Sequence, residues 1–406
     1  MRNFYLLYSA QLISQTGSVL NSVISMFWIY GITGSVSRSI LTGFFTAVVY
    51  LSVSLFASSI IDRDSKKKYV LLGEAAQMFV FLAFFLLAKY NIRNIYWIYA
   101  LQGVIGLSNA FFYPAISAWQ LGYIRHNYRK IVGNMHVIST SVNLLGILLG
   151  GFLSRHIAFQ NIFLYNAISF GAALLIESFV PEEAVRAAGV KTARSFAKLL
   201  SEMGEGFKYV RREKPAVLSV ILFLAVVNMF FAPLADMMPL LVKAGFGRGA
   251  DSFSLLMLAS ICGALLAGII VRKIKAPGNA TIALFCGLNA GLSVFTSVTH
   301  SFYSLLGVMF LIGLANSLIG IAIKIEISGV KPEYFCKVQS VSENISGTLV
   351  PLGILLMACL SSRGGIRFPF LFSGLVILGL CAVYLAVLNR ENLRRYFKIS
   401  AEEGVV

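Results

Sequence analysis

Charge is scarce in this chain. Only 13% of its 406 residues are Asp, Glu, Lys or Arg, while 58% are hydrophobic. A soluble domain carries about twice that charge. Acid is scarcer than base, with 17 Asp and Glu against 34 Lys and Arg. No GxxxxGK[ST] loop is present, so the chain has no phosphate cradle of the ATP-hydrolysing kind. HExxH, GxSxG and any paired catalytic Cys and His are also absent, which argues against an enzyme. The five cysteines (Cys262, Cys286, Cys336, Cys359, Cys381) form no CxxC pair and have no His cluster beside them. That excludes a zinc or disulfide framework, and no metal or cofactor is expected. The net charge of +17 does not point to nucleic acid, because the cations lie in breaks between apolar runs rather than on one basic face. A cleavable leader is not expected either, since the first apolar run, 4–30, is too long for one.

What the chain has is long apolar runs. Twelve stand out: 4–30, 39–61, 69–88, 95–118, 131–153, 161–180, 215–242, 253–271, 280–298, 303–325, 341–360 and 368–388. A run of ~20 apolar residues is long enough to cross a bilayer as a helix. A membrane barrel would instead alternate over ~10-residue strands. The breaks between runs set the orientation. With Met1 inside, 25 cations fall on inner segments and eight on outer ones. Lys and Arg are retained on the cytoplasmic side, so both termini are expected there. The expected location is the plasma (inner) membrane, multi-pass, with the lipid bilayer itself as a partner. The densest break is Asp62-Arg63-Asp64-Ser65-Lys66-Lys67-Lys68, and a weaker copy begins at Arg272-Lys273.

Leu-Gly-Ile-Leu-Leu occurs at 145–149 and again at 352–356, an offset of 207 residues; the two charged breaks repeat at 210. Two features of different chemistry at nearly one offset indicate a duplicated six-span unit. The expected fold is therefore all-α: an integral membrane protein with twelve transmembrane helices in two pseudo-symmetric six-helix bundles. The expected domains are 1–180, a linker at 181–214, 215–388, and a cytoplasmic tail at 389–406. Within the linker Phe196, Leu199, Leu200, Met203, Phe207 and Val210 recur at helical spacing, with charges between them. That pattern predicts an amphipathic helix on the inner membrane surface.

Several residues break the apolar pattern. Gln15, Asn109, Asn228 and Asn316 each place an amide near the middle of a span, where a polar group needs a partner or a wet cavity. They are read either as substrate contacts or as interhelical hydrogen bonds. Tyr113 adds an aromatic surface. Asp236 lies between Pro233 and Pro239, which remove helix hydrogen bonds. Together with Glu343 and Glu74 it is a candidate for carrying a proton or a cation. Gly146 and Gly150 are spaced for close helix packing.

These residues resemble the major facilitator superfamily of secondary transporters. Ser58-x-x-x-Asp62-Arg63 followed by Lys66-Lys67-Lys68 is similar to that family's loop signature, with Ser58 in the glycine position. Gly268-x-x-x-Arg272-Lys273 is the second-half copy without its acid. Gly146-x-x-x-Gly150-Gly151 resembles the antiporter signature, with Ile147 where proline is usual. Gln11-Leu12-Ile13-Ser14-Gln15-x-Gly17, Tyr30-x-Ile32-Thr33-Gly34-Ser35 and Ala110-Phe111-Phe112-Tyr113-Pro114-Ala115 look like the macrolide-efflux branch. That branch often has an Asp where Ser18 stands, and many drug–proton antiporters have an Arg where Tyr99 stands.

The resemblance implies a central cavity lined by spans one, four, seven and ten, which are the spans that carry the four amides. It also implies a gating hinge at Asp62, Arg63, Lys66, Lys67 and Arg272. The expected function is proton- or ion-coupled efflux of amphipathic organic compounds by alternating access, in a monomer. Its expected partners are a small-molecule substrate and protons or another coupling ion. The alternatives are a carrier of one defined metabolite on the same fold, and a membrane receptor or scaffold without flux.

Overall fold

The computed structural model describes residues 2–61, 64–123, 128–154, 156–182, 196–270 and 278–402. Every regular element among them is helical. The first six helices are α1 (Arg2–Thr33), α2 (Val36–Ile61), α3 (Lys66–Lys89), α4 (Ile95–Tyr123), α5 (Tyr128–Leu153) and α6 (Phe159–Ser178). The linker helix α7 (Phe196–Glu213) follows. The remainder are α8 (Pro215–Leu240), α9 (Ala250–Ile270), α10 (Asn279–Val298), α11 (Phe302–Ser328), α12 (Pro332–Thr348), α13 (Val350–Gly364) and α14 (Phe368–Glu402). Eleven spans among the described residues are long and apolar enough to cross a membrane. The twelfth helix of the pattern is α5, whose apolar part, Ser141–Leu153, is shorter.

The breaks are placed by local chemistry. Only Gly34 and Ser35 separate α1 from α2, and Gly34 takes the left-handed φ of +59° while its N–H returns to the Tyr30 carbonyl at 2.8 Å. Glycine adopts that conformation without a Cβ penalty and so closes a helix. Ser65 caps α3 by accepting from the Lys68 N–H, and Ser301 caps α11 through the Ser304 N–H.

The run 341–360 is interrupted at Leu349, between α12 and α13, while Asn344–Gly364 as a whole remains long and apolar enough to cross a membrane. Pro351 has no N–H to return to the Gly347 carbonyl four residues earlier, and Thr348 donates back to the Asn344 carbonyl at 2.7 Å. After Pro239 the chain also leaves the α-helix, in a π-turn at Leu241–Gly245. The last helix, α14, continues to Glu402, well past the apolar run that ends at 388.

The chain forms two compact units. Unit 1 is Met1–Glu202 with Ala235–Leu258 and Ile354–Arg363. Within it α2 packs on α4, α3 on α4 and α6, and α1 on α5 and α6. One core cluster gathers Phe4, Leu7, Ile61, Phe112 and Trp119; another gathers Trp28, Phe81, Phe84, Phe163 and Phe170. Unit 2 is Met203–Leu234, Ala259–Gly353 and Gly364–Val406. Here α10 packs on α11 and α14. The last turns of α7 contribute Tyr209 and Val210 to a core with Val217, Ile221, Ile327 and Val338. That part of the linker's apolar face is therefore covered by protein.

Outward faces are apolar as well: Phe79 is 63% exposed and Phe179 84%. A bilayer accepts such surfaces where water would not. The exposed Tyr96 and Trp97 at the start of α4, and Tyr303 at the start of α11, are amphipathic rings of the kind that lodge at a membrane interface.

Packing inside each unit repeats the 207-residue offset. In unit 1 a Cβ on Gly146 would lie 2.6 Å from Val19 Cγ1, and one on Gly106 would collide with the Thr46 carbonyl. In unit 2 Gly353 stands against the Met229 carbonyl and Gly313 against that of Ser260. Gly150 also meets α1, at 3.3 Å from Val23. Small residues let helices approach where lipid supplies no hydrophobic drive between them. The two copies differ in what gives way. Gly353→Ala drives a methyl into backbone and is expected to destabilise by about 1–3 kcal/mol. Gly146→Ala meets a side chain instead, so it should cost less and be rescued by Val19→Ala. Thermal unfolding of the lipid-reconstituted variants checks both.

Candidate functional site

The first helix builds most of the site. Gln11, Ser14, Gln15, Ser18, Asn21, Ser22 and Ser25 fall three or four residues apart and so share one face of α1. All seven line a cavity of about 710 Å³ in unit 1. Drug-sized pockets span roughly 300–1,000 Å³. Gln77 of α3, Gln102 and Asn109 of α4, and Asp236 of α8 add polar groups to the wall. Phe81, Phe112, Tyr113, Phe170 and Phe253 supply apolar and aromatic surface. Among the described residues Asp236 is the only carboxylate of the lining; its side chain is exposed to the cavity, and it lies 3.7 Å from where a Gly43 Cβ would stand.

Gln15, Asn109, Tyr113 and Asp236 are thus brought together on one wall. Asn228 and Asn316 belong to unit 2. Each of the four amides is also tied to a neighbouring helix. Gln15 Nε2 donates to Ser139 Oγ at 2.8 Å and to Asn143 Oδ1 at 3.1 Å, joining α1 to α5. Asn228 Nδ2 donates to the Ser346 carbonyl at 3.0 Å, joining α8 to α12. Asn109 Oδ1 accepts from Gln77 at 3.0 Å, and Asn316 Oδ1 accepts from Asn289 at 2.6 Å. Asn109 and Asn316, like Ser139 and Ser346, are 207 residues apart. The two units therefore use one set of amide ties twice.

Glu74 lies off the cavity wall and is fully buried. Gln11 bridges it to Glu177, which is also fully buried: Gln11 Nε2 donates to Glu177 Oε1 at 2.5 Å and to Glu74 Oε1 at 3.3 Å. Glu177 was not among the residues singled out from sequence, because it ends its span and reads there as an interfacial acid. The polar face of α1 beyond Gln15 was also missed, although its three-and-four spacing is visible in the sequence. Among the described residues no three His, Cys, Asp or Glu side chains group as a metal site.

Of the five expected hinge residues, Asp62, Arg63 and Arg272 lie outside the described residues, as does the side chain of Glu343. Lys66 and Lys67 join α3 to α6. The Lys66 N–H donates to Glu182 Oε1 at 2.8 Å, and the Ser65 hydroxyl donates to the same carboxylate. Lys67 Nζ donates to the Ser178 carbonyl at 2.6 Å. An anion thus sits at the start of one helix and a cation at the end of the other, as their dipoles favour.

Beside them Asp64 bonds Lys68 Nζ at 2.9 Å, and also the Ser65 N–H and the Tyr69 hydroxyl. The Lys68 bond and then these other donors hold the Asp64 carboxyl down, from 3.8 to about 2. The depressed value means that its contacts are fully present above pH 3.8 and are lost as the pH falls through about 2. In Lys68→Ala the Asp64 titration should move up toward the ordinary carboxylate range, which NMR with labelled Asp can follow.

The fold and this site can be set beside known proteins. The nucleoside transporter NupG superposes with a TM-score of 0.74 at 9% identity, over 96% of this chain and 99% of NupG. A POT family transporter in complex with a thioalcohol-conjugated peptide gives 0.70 at 14% identity, over 96% of each chain. One in complex with 5-aminolevulinic acid gives 0.70 at 14%, over 95% of this chain and 96% of that one. At such identities the likeness is one of fold. No curated protein sequence matches the chain. The sequence model of the Major Facilitator Superfamily matches residues 6–338. The chain belongs to the Major Facilitator Superfamily, as a multi-pass membrane transporter of that type and not an enzyme.

Proposed function

We propose that this transporter exports amphipathic organic compounds that carry a basic nitrogen, macrolide-like molecules among them, in exchange for a coupling ion. The observation that carries this reading is the cavity. Its wall combines amide and hydroxyl groups along α1 with aromatic rings, and among the described residues Asp236 is its only carboxylate. Amides and hydroxyls suit a solute decorated with carbonyl and hydroxyl groups, rings suit its apolar body, and one carboxylate suits one cation. The volume, about 710 Å³, accommodates a drug-sized molecule.

Transport then proceeds by alternating access between two six-helix halves, 1–180 and 215–388, joined by the linker at 181–214. The loop of Asp62, Arg63, Lys66 and Lys67, with Arg272 in its copy, is the hinge of that exchange. The protein works as a monomer in the plasma membrane with both termini in the cytoplasm. The excess of cations on the segments assigned to the inside supports that orientation.

The test is expression in a drug-susceptible host, with a panel of macrolides and cationic dyes, followed by flux in vesicles. Resistance to cationic members of the panel is expected. Asp236→Asn should raise the half-saturation concentration of a cationic substrate by about tenfold, the value of a charge-assisted hydrogen bond. A neutral analogue should be unaffected. A flat panel would favour a carrier of one defined metabolite. Equal loss for cationic and neutral compounds would remove Asp236 from substrate recognition.

A further inference from the structure

The buried Gln11, Glu74 and Glu177 are not explained by substrate recognition. Both glutamates are 0% exposed. Glu74 Oε2 and Glu177 Oε2 are buried with no hydrogen-bond partner. From α1 the pair is faced by Gln11 and Ser14. From α4, Ser108 and Phe112 lie against the neighbouring Gly73 and carry no charge. From α6 the only titratable neighbour of Glu74 is Glu177 itself. Among the described residues no Lys or Arg pairs with either glutamate. Two carboxylates that share one dry site cannot both hold their charge without a counterion. Structural packing alone would not favour such an arrangement, since an apolar pair would serve better there.

We propose that Gln11, Glu74 and Glu177 form the proton-binding site through which this transporter is coupled. The proposal rests on the transport reading above and names its coupling ion. Loading adds one proton to a free Oε2 oxygen, so that one carboxyl becomes neutral and the pair's net negative charge falls by one; no other bond is made or broken. Gln11 turns its N–H₂ toward both carboxylates and so does not offer the amide carbonyl that a metal cation would take. The amide is also part of the cavity wall, so the proton site and the substrate site meet at one side chain.

The three residues come from α1, α3 and α6, and the last two helices are tied a few residues away. Lys67 holds the Ser178 carbonyl, one residue beyond Glu177. A change of charge at the pair therefore acts on the α3–α6 joint and, through Gln11, on the helix that carries the substrate wall. By linkage, substrate binding and proton binding must shift one another by the same factor.

Protein reconstituted in lipid gives two independent readouts. The first is the infrared carbonyl band of protonated carboxyl groups, followed against pH without any substrate. Wild type should show a band that both Glu74→Gln and Glu177→Gln change, while Asp236→Asn leaves it in place. The second is the affinity for a cationic dye against pH. It should vary by at least about fivefold in wild type, the lower range of a coupling between sites, and become flat in both glutamine variants. Gln11→Leu should keep a band but shift it, and flatten the affinity profile. A role in folding alone would lower the melting temperature and leave the pH profile unchanged, which overturns the proposal. A profile that follows sodium instead of pH overturns it as well. If no dye binds but the band behaves as stated, the substrate reading fails and the proton site stands.

Discussion

Inside a bilayer a polar group has no water to turn to, and this one constraint organises the structure. The amides of Gln15, Asn109, Asn228 and Asn316 each reach another helix, and those of Gln15 and Asn109 also face the cavity. The ties are individually weak, about 0.6 kcal/mol on average. They act mainly on register: Gln15 fixes α1 against α5, and Asn228 fixes α8 against α12. The glycines act with them. Where Gly146 or Gly353 removes a side chain, two backbones come close enough for a short polar side chain to reach across.

The acceptors of these ties, Ser139 and Asn109, recur 207 residues later as Ser346 and Asn316, so both units inherit one packing scheme. Their chemistry has nonetheless diverged. The polar face of α1, from Gln11 to Ser25, has no full copy in α8. Between Ser219 and Leu240 the only polar side chains of α8 are Asn228 and Asp236. In unit 1 the amides therefore border a cavity, while the charge that completes the wall comes from the second half of the sequence.

Charge is concentrated at helix ends, where backbone dipoles and partners compensate it. Glu182 and Lys67 meet the start of α3 and the end of α6. Against that background Glu74 and Glu177 are exceptional, because they are buried and share a single neutral donor. Ionisable groups inside a bilayer protein commonly mark substrate, ion or proton pathways.

By itself the sequence determined the spans, the duplication, the linker helix and most of the breaks. Those features depend on local composition: ~20 apolar residues fill a membrane and are readable without partners. It also pointed to Gln15, Asn109, Tyr113 and Asp236, since a polar residue in an apolar span stands out wherever it faces. Only the tertiary structure decided which of these share a wall, that Asn228 and Asn316 belong to the other unit, and that the run 341–360 is interrupted at Leu349. It alone placed Glu177 beside Glu74. Gln11 and Glu177 are 166 residues apart, and no periodicity within either helix encodes a contact that forms only when α1, α3 and α6 close on one another.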